Sequence, residues 1–395
     1  MKKNEAATGF QTGLAFLRIL EYLHEQGNPQ QGERSIRVMP KRIKEYLQEN
    51  FGIAVSRERV RDMLDAICCS EIKYKLVCDS SGKQRTYRYE PEFTLEEVSF
   101  LTDMVSSSMF LEKAEIEQLL NKLCALTSSQ NHPYLSNADH YYRPPSVNRA
   151  ALSNLRLIHR AINGHEVIRF YSGAIDENKH LYFESADSRH AGVVKRTYPR
   201  QPGVRSAHSV MLPKINNKHG TPKICSPYAL VWDNSRCYLI CGLHNDGKIV
   251  LWNYRVDRMF NLKIAEEIAY CAPRTSYFYN METGRVMTEQ YLHASFKMFA
   301  GEQKPTDVTL KFRTLHTRVI VEKFGYNVTI RRLEDDYASV TVPVQLSQQF
   351  YAWLAGFLPE DLCLTAPTSV VSAYRQHLQR ILHSLPENNA APNID

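Results

Sequence analysis

The stretch SPYALVWDNSRCYLICGLHNDGKIVLWNYRVDRM, residues 226–259, ends in two arginines three positions apart, Arg255 and Arg258. A guanidinium is a planar fork of N–H donors that grips a phosphate or carboxylate through two parallel hydrogen bonds. The same stretch holds hydroxyls at Ser226, Tyr228 and Tyr238 and an imidazole at His244, with Lys223 just ahead of it. Tyrosines stack on bases or offer a hydroxyl. Together these types suit a socket for a phosphate-bearing ligand. Alternate residues of a strand face opposite sides, so of Tyr238 and Leu239 one lines a pocket and the other fills the core. Arg255 and Arg258 have opposite parity, and share a pocket only where the strand bends or ends near Asp257. Arg255 therefore ranks first. For Arg258 the other reading is an ion pair with Asp257 or a neighbouring acid. For Ser226 and Tyr228 it is a strand edge and a core tyrosine, and for His244 a surface residue in a turn. Lys223 is the weakest candidate.

A second set of cations lies near the N-terminus. SRERVRDMLDAI places Arg57, Arg59 and Arg61 on a predicted helix with Ser56 as its N-cap. Arg34, Arg37, Lys41, Arg42 and Lys44 form an acid-free cluster before it, and Lys73, Lys75, Lys83, Arg85 and Arg88 follow it. A helix about 12 Å across fits the DNA major groove, where arginines reach phosphates or guanine edges. We take Ser56, Arg57, Arg59, Arg61, Lys41, Arg42, Lys83 and Arg85 as candidate DNA contacts. Glu58 and Asp62 share that helix, and either acid can accept a hydrogen bond from cytosine. The other reading is a small helical domain with a solvated, charged face.

Catalysis finds no comparable set. No G-x-S-x-G, H-E-x-x-H or phosphate-loop pattern occurs, and no histidine pairs with a cysteine or serine in a known signature. The nine cysteines include no C-x-x-C pair, so neither a zinc site nor a redox pair is expected, and no cofactor is implied. An odd number of thiols without an apolar leader segment fits a reducing cytoplasm. No apolar run approaches 18 residues, so no membrane span is expected. The net charge of +7 is mild, but between Asp187 and Asp233 there is no acid and there are eight lysines and arginines. Such a run favours a polyanionic partner.

These residues need elements to position them. Leu14, Leu17, Leu20 and Leu23 repeat at helical spacing over residues 13–26, and Gly27-Asn28-Pro29 stops that helix. PKRIKEYLQENF predicts a second helix, with Pro40 in its first turn and Gly52 at its end. The third is the arginine helix, with Val60, Leu64 and Ile67 inward. IKYKLVCD and RTYRYEP then form a β-hairpin. Residues 93–126 are amphipathic helix, opened by a Thr94–Glu97 capping box, and 128–145 is a polar linker. NLRLIHRAINGHEVIRFYSG gives a helix and a strand. YALVW, CYLICGL and IVLWNYRV follow as a meander, which suggests a five-stranded barrel or half-barrel. A connector with one helix around EQYLHASFKMF leads to VTLKFRT, VIVEKFG, NVTIRRLED and YASVTVPV as strands. Helices near LSQQFYAWLAGF and SVVSAYRQHLQRIL complete an α+β sandwich.

RCYLICGL followed by NYRVDRM and preceded by SPYALVW resembles the WYL domain, an SH3- or Sm-like β-barrel of bacterial transcription regulators. The naming triad is here Cys237-Tyr238-Leu239, with cysteine in place of the usual tryptophan, and NYRVDRM stands for the family's arginine-bearing run. YAWLAGFLPEDLCLTAPTSVVSAYRQHLQRIL resembles the extension that accompanies this domain. The resemblance implies a multidomain α+β chain. It would hold a winged helix-turn-helix (1–92), a helical linker or dimerisation region (93–147), the WYL β-barrel (148–270), a connector (271–304) and the extension (305–386). It implies a homodimeric, ligand-responsive repressor of a double-stranded, inverted-repeat operator. The barrel would sense a nucleic acid or nucleotide, as in regulators of phage-defence loci or of the DNA-damage response. The alternative is a nucleic-acid-binding accessory factor of a helicase or nuclease system.

Overall fold

The computed structural model describes residues 2–26, 36–70, 75–79, 86–135, 148–175, 181–186, 194–197, 221–245, 247–273, 277–280, 282–298 and 304–385. The chain divides into two compact units, Met1–Ser146 and Val147–Asp395. Among the described residues no helix is long and apolar enough to cross a membrane.

The first unit runs α1 (Lys2–Gln26), β1 (Ile36–Val38), α2 (Pro40–Phe51), α3 (Arg57–Cys69), β2 (Lys75–Asp79) and β3 (Thr86–Glu90). Helix α1 starts well before the expected Gly13. Its Ala15, Ile19 and Leu23, four apart, are fully buried with Ile43 and Leu47 of α2 and Val60, Leu64 and Ile67 of α3. The ends follow the local chemistry. Pro40 opens α2, and Gly52 closes it in the left-handed region at φ 64°, where a side chain would be strained. Ser56 caps α3 by accepting a hydrogen bond from Arg59 N at 3.1 Å. The hairpin forms as expected, and β1 adds a third strand in the order β1-β3-β2.

Two more helices belong to this unit, α4 (Leu95–Ser106), with its Thr94–Glu97 capping box, and α5 (Lys113–Cys124). The expected linker at 128–145 is corrected in its first part, where a short α6 (His132–Leu135) forms. Ser128 Oγ donates to Glu25 O at 2.7 Å, and Ser129 N and Oγ donate to Glu25 Oε2 at 3.0 and 2.7 Å. The polar side chains that resemble a linker in sequence thus serve the C-terminal end of α1, whose last carbonyls lack helical donors. Residues 136–147 lie outside the described ones.

The second unit opens with α7 (Ala151–Gly164), β4 (Ile168–Ile175), β5 (Leu181–Ala186), β6 (Val194–Thr197), β7 (Lys223–Asp233), β8 (Arg236–Asn245), β9 (Lys248–Arg255) and β10 (Met259–Ile264). β7, β8 and β9 form the expected meander. Asn234 and Ser235 join β7 to β8 with φ of 49° and 59°, the paired positive values of a two-residue turn that matches strand twist. β4 bonds to β5, β7 and β10, so the seven-stranded sheet runs β6-β5-β4-β7-β8-β9 with β10 also paired to β4. β9, at one end of that order, and β10, paired to β4, are separated by only the three-residue 3₁₀ turn Val256–Arg258. The sheet must therefore curl until its edges approach, and it forms an antiparallel half-barrel. The basic run before Ser226 falls mostly outside the described residues.

Beyond the half-barrel come β11 (Tyr279–Asn280), β12 (Arg285–Val286) and α8 (Thr288–Ala294). Then follow β13 (Thr306–Arg313), α9 (Thr317–Phe324), β14 (Ile330–Arg332), β15 (Tyr337–Val344), α10 (Gln348–Leu354), β16 (Leu362–Ala366) and α11 (Thr368–Ser384). The sheet order is β14-β15-β13-β16, all antiparallel. VIVEKFG, expected as a strand, is the core of α9. Its Ile320 and Phe324, four apart, are buried among Val308, Leu310, Val340 and Phe350, while Glu322 midway between them is exposed; a strand would put all three on one face, a helix does not.

Candidate functional site

In the first unit the buried stripe of α3 decides what its other face offers. Arg57, Glu58, Arg59 and Asp62 are exposed and Arg61 is half-buried. Arg57 and Arg61, one turn apart, lie on one side of the helix. Arg59 is partly committed, since its Nη2 donates to Thr12 Oγ1 of α1 at 2.9 Å. The Ser56 hydroxyl is occupied as the cap. On α2, Lys41 pairs with Glu45 at 3.8 Å with both side chains in water, and Arg42 is exposed. Lys83 and Arg85 lie outside the described residues.

A pair not foreseen in the sequence stands on the small sheet. Arg37 of β1 and Arg88 of β3 are directly opposite each other, with Val77 of β2 beyond. All three are exposed, while Val38, Tyr87, Tyr89 and Leu76 on the other face are buried. Among the described residues neither arginine has an ion-pair partner. Like charges directly opposed on a sheet repel, and both guanidinium groups face water. The alternation Ile36-Arg37-Val38 signals the strand, but three residues are too few to declare it alone.

In the second unit Tyr238 of β8 lies directly opposite Arg255 of β9. β9 ends at Arg255, and the 3₁₀ turn swings Asp257 back under it. Arg255 Nε and Nη2 donate to Asp257 Oδ1 and Oδ2 at 3.0 and 2.5 Å. Arg236 Nη1 adds a third contact at 3.4 Å. Asp257 is 4% exposed, Arg255 18% and Arg236 19%. The fork of Arg255, ranked first from the sequence, is thus filled internally. Arg258 makes the opposite choice: it is exposed and, among the described residues, has no hydrogen-bond or ion-pair partner. Tyr238 is half-buried between the two. Burial first, then Asp233 and Asp257, raise its pKa, while Arg258 lowers it, so its phenol lies within the field of Arg258. Burial and the nearby Asp257 push the Cys237 thiol up to about 12.

The remaining candidates fasten the chain to itself. Ser226 is fully buried. Its Oγ lies 2.9 Å from His244 Nε2 and accepts from Cys271 N at 3.0 Å. Tyr228 donates its hydroxyl to Cys271 O at 2.9 Å, and burial raises its pKa. His244, expected in a turn, lies within β8, and burial lowers its pKa. The expectation fails because β8 runs on to Asn245, which pairs with Lys248, so the bend into β9 comes after it, with Gly247 at φ 76°. Ser226, Tyr228 and His244 together clip the segment after β10 onto the sheet. Lys223 begins β7, opposite Phe170. Sequence reasoning missed Arg236, and its other reading paired Asp257 with Arg258, whereas Arg255 and Arg236 hold that carboxylate.

No protein-family model matches the sequence, and no curated protein matches it either. Among solved structures the chain is similar to proteasome accessory factor B/C (PafBC) of Arthrobacter aurescens, at 13% identity and a TM-score of 0.25. That match covers 94% of this chain and 48% of the other, so this chain spans about half the length of that structure. It is also similar to a CRISPR Cas-related protein, at 13% identity and a TM-score of 0.33, over 90% of this chain and 95% of that one.

Proposed function

We propose that this chain is a WYL-type transcription regulator: a homodimer that represses from an inverted-repeat operator and responds to a phosphate-bearing ligand, a nucleotide or nucleic acid. The observation that supports DNA binding most directly is the outer face of α3. Arg57 and Arg61 stand one turn apart there, in a unit whose order α1-β1-α2-α3-β2-β3 is that of a winged helix-turn-helix. In this reading α3 enters the major groove and Arg37 and Arg88 meet phosphates beside it. On the half-barrel the ligand's anionic group pairs with Arg258, with Tyr238 alongside. Arg255 and Arg236 hold the turn that presents Arg258. The ligand acts through unequal affinity for DNA-competent and DNA-incompetent arrangements.

A gel-shift comparison tests this reading, using the duplex upstream of the chain's own gene, an unrelated duplex and a single strand. The upstream duplex should bind at least about a thousandfold more tightly, the lower end of the usual gap between specific and non-specific binding, about 10³–10⁷. Equal binding to both duplexes would reject the regulator.

A second reading has its own observation. Trp232 and Trp252 are 54% and 48% exposed. They lie opposite Cys237 and Cys241 of β8, hence on one face of the sheet. Exposed indoles are stacking platforms for unpaired bases. An accessory factor that grips single strands would prefer the single strand in the same assay.

A further inference from the structure

We propose that a cavity of about 300 Å³ between α8 and the C-terminal sheet binds a free α-amino acid with an apolar side chain. This site is separate from the half-barrel cluster and does not depend on DNA binding.

The floor and the mouth of this cavity differ in chemistry. Phe278 of the connector, Phe324 of α9 and Val342 of β15 make the floor apolar. At the mouth stand Lys304 and Asp307, both exposed. Among the described residues neither is ion-paired, with each other or with anything else. The ammonium of Lys304 lies 5.6 Å from the Tyr277 ring centroid, above the entrance. His293 adds a ring nitrogen, and burial keeps its pKa below the ordinary range. At neutral pH the mouth therefore holds one fixed charge of each sign around an apolar hole.

That pattern selects the ligand by elimination. A purely apolar molecule fills the floor but gains nothing from either charge, which water already solvates. A nucleotide brings two or more negative charges toward Asp307, and an organic cation meets Lys304. A zwitterion satisfies both, its carboxylate toward Lys304 and its ammonium toward Asp307, while the side chain fills the floor. The volume is at the lower end of small-ligand sites, about 300–1,000 Å³, which suits a single amino acid. Helix α8, which lends Gln290, His293 and Ala294 to the wall, is itself anchored: its Tyr291 is fully buried and the hydroxyl accepts from Asn253 Nδ2 of β9 at 2.6 Å.

Calorimetric titration of the full chain with L-phenylalanine and L-leucine tests the proposal. Either should bind at millimolar concentration or below. N-acetyl-L-phenylalanine lacks the ammonium and L-phenylalaninamide the carboxylate, so each should bind at least about tenfold more weakly, the size of one charge-assisted contact; glycine lacks the side chain and should bind at least about tenfold more weakly through lost apolar burial. Lys304→Met and Asp307→Asn change exposed positions and should weaken L-phenylalanine about tenfold while circular dichroism stays unchanged. Asp307→Asn should also erase the discrimination against the N-acetyl form. Absence of binding by both amino acids, equal binding of the blocked derivatives, tighter binding of adenosine monophosphate, or indifference to both substitutions would each overturn the assignment.

Discussion

Arg255 and Asp257, two residues apart in sequence, close a two-point ion pair that is almost entirely out of water, with a second arginine, Arg236, behind it. The pair exists because the strand ends between its members. On a continuing strand both side chains would project from one face about 7 Å apart, and only the 3₁₀ turn lets the carboxylate fold back onto the guanidinium. The first prediction follows from that burial. Arg255→Ala leaves Asp257 with Arg236 alone, and breaking a buried pair costs about 3–5 kcal/mol. Urea unfolding of the second unit should show a loss of about 3 kcal/mol, toward the low end because Arg236 remains. Arg258→Ala should change stability by less than about 0.5 kcal/mol, as for an ordinary surface position, and abolish the response of DNA binding to ligand. Reversed effects of the two substitutions would return Arg255 to the ligand site.

A second prediction concerns Gly242 and Tyr228. A β-carbon at Gly242 would stand 2.1 Å from the Tyr228 hydroxyl and 2.7 Å from Ile249 Cγ2. The position needs a residue without a side chain because the tyrosine crosses it to reach Cys271 O. Gly242→Ala should destabilise the half-barrel by about 1–3 kcal/mol, the usual range for overpacking. Tyr228→Leu should recover part of that loss, so the two substitutions must not add in thermal unfolding. Strict additivity would show that the tyrosine is not what excludes the methyl group.

The helices of the first unit were legible because their ends carry chemistry that acts locally: Pro40, Gly52, Ser56 and Thr94 each fix a terminus without help from the fold. β1 was not, since three residues become a strand only by pairing with β3, which lies about fifty positions away. VIVEKFG misled for the opposite reason. Its β-branched residues favour a strand locally, and the burial of Ile320 with Phe324 overrides that preference. On the half-barrel, sequence placed Tyr238, Arg255 and Arg258 near one another. It could not assign the partners, because parity along a strand says nothing past the point where the strand stops. Ser226, Tyr228 and His244 have the types of a polar socket, and only the position of Cys271 reveals that their bonds turn inward.

Two half-buried imidazoles, His244 and His293, make stability depend on pH. Burial lowers the pKa of both His244 and His293, so the unfolded chain takes up a proton more readily than the folded one. Their stabilising effect is complete above the unfolded value, about 6.5, and is lost as pH falls through the lower folded values. The thermal midpoint of the second unit should therefore drop between pH 7 and pH 5. His244→Gln, which keeps a polar group near Ser226 but cannot take up the proton, should flatten that drop. An unchanged slope would show that His244 does not contribute to it.

The final prediction separates the arginines that position from those that specify. Arg37 and Arg88 face outward from a sheet, where a phosphate is the natural partner, whereas Arg57 and Arg61 project from a helix that can reach base edges. A phosphate contact releases bound counterions, so each one lost should lower the slope of log K against log salt by about 0.9. Arg37→Ala with Arg88→Ala should lower that slope by about 2 and weaken operator and unrelated duplex by the same factor. Arg57→Ala or Arg61→Ala should cost about 1–3 kcal/mol on the operator, the value of a bidentate base contact, and much less on unrelated DNA. Titrations at four salt concentrations on both duplexes distinguish the two patterns. If the sheet arginines alter sequence preference and the helix arginines do not, the surface that reads the bases is the sheet and α3 lies elsewhere.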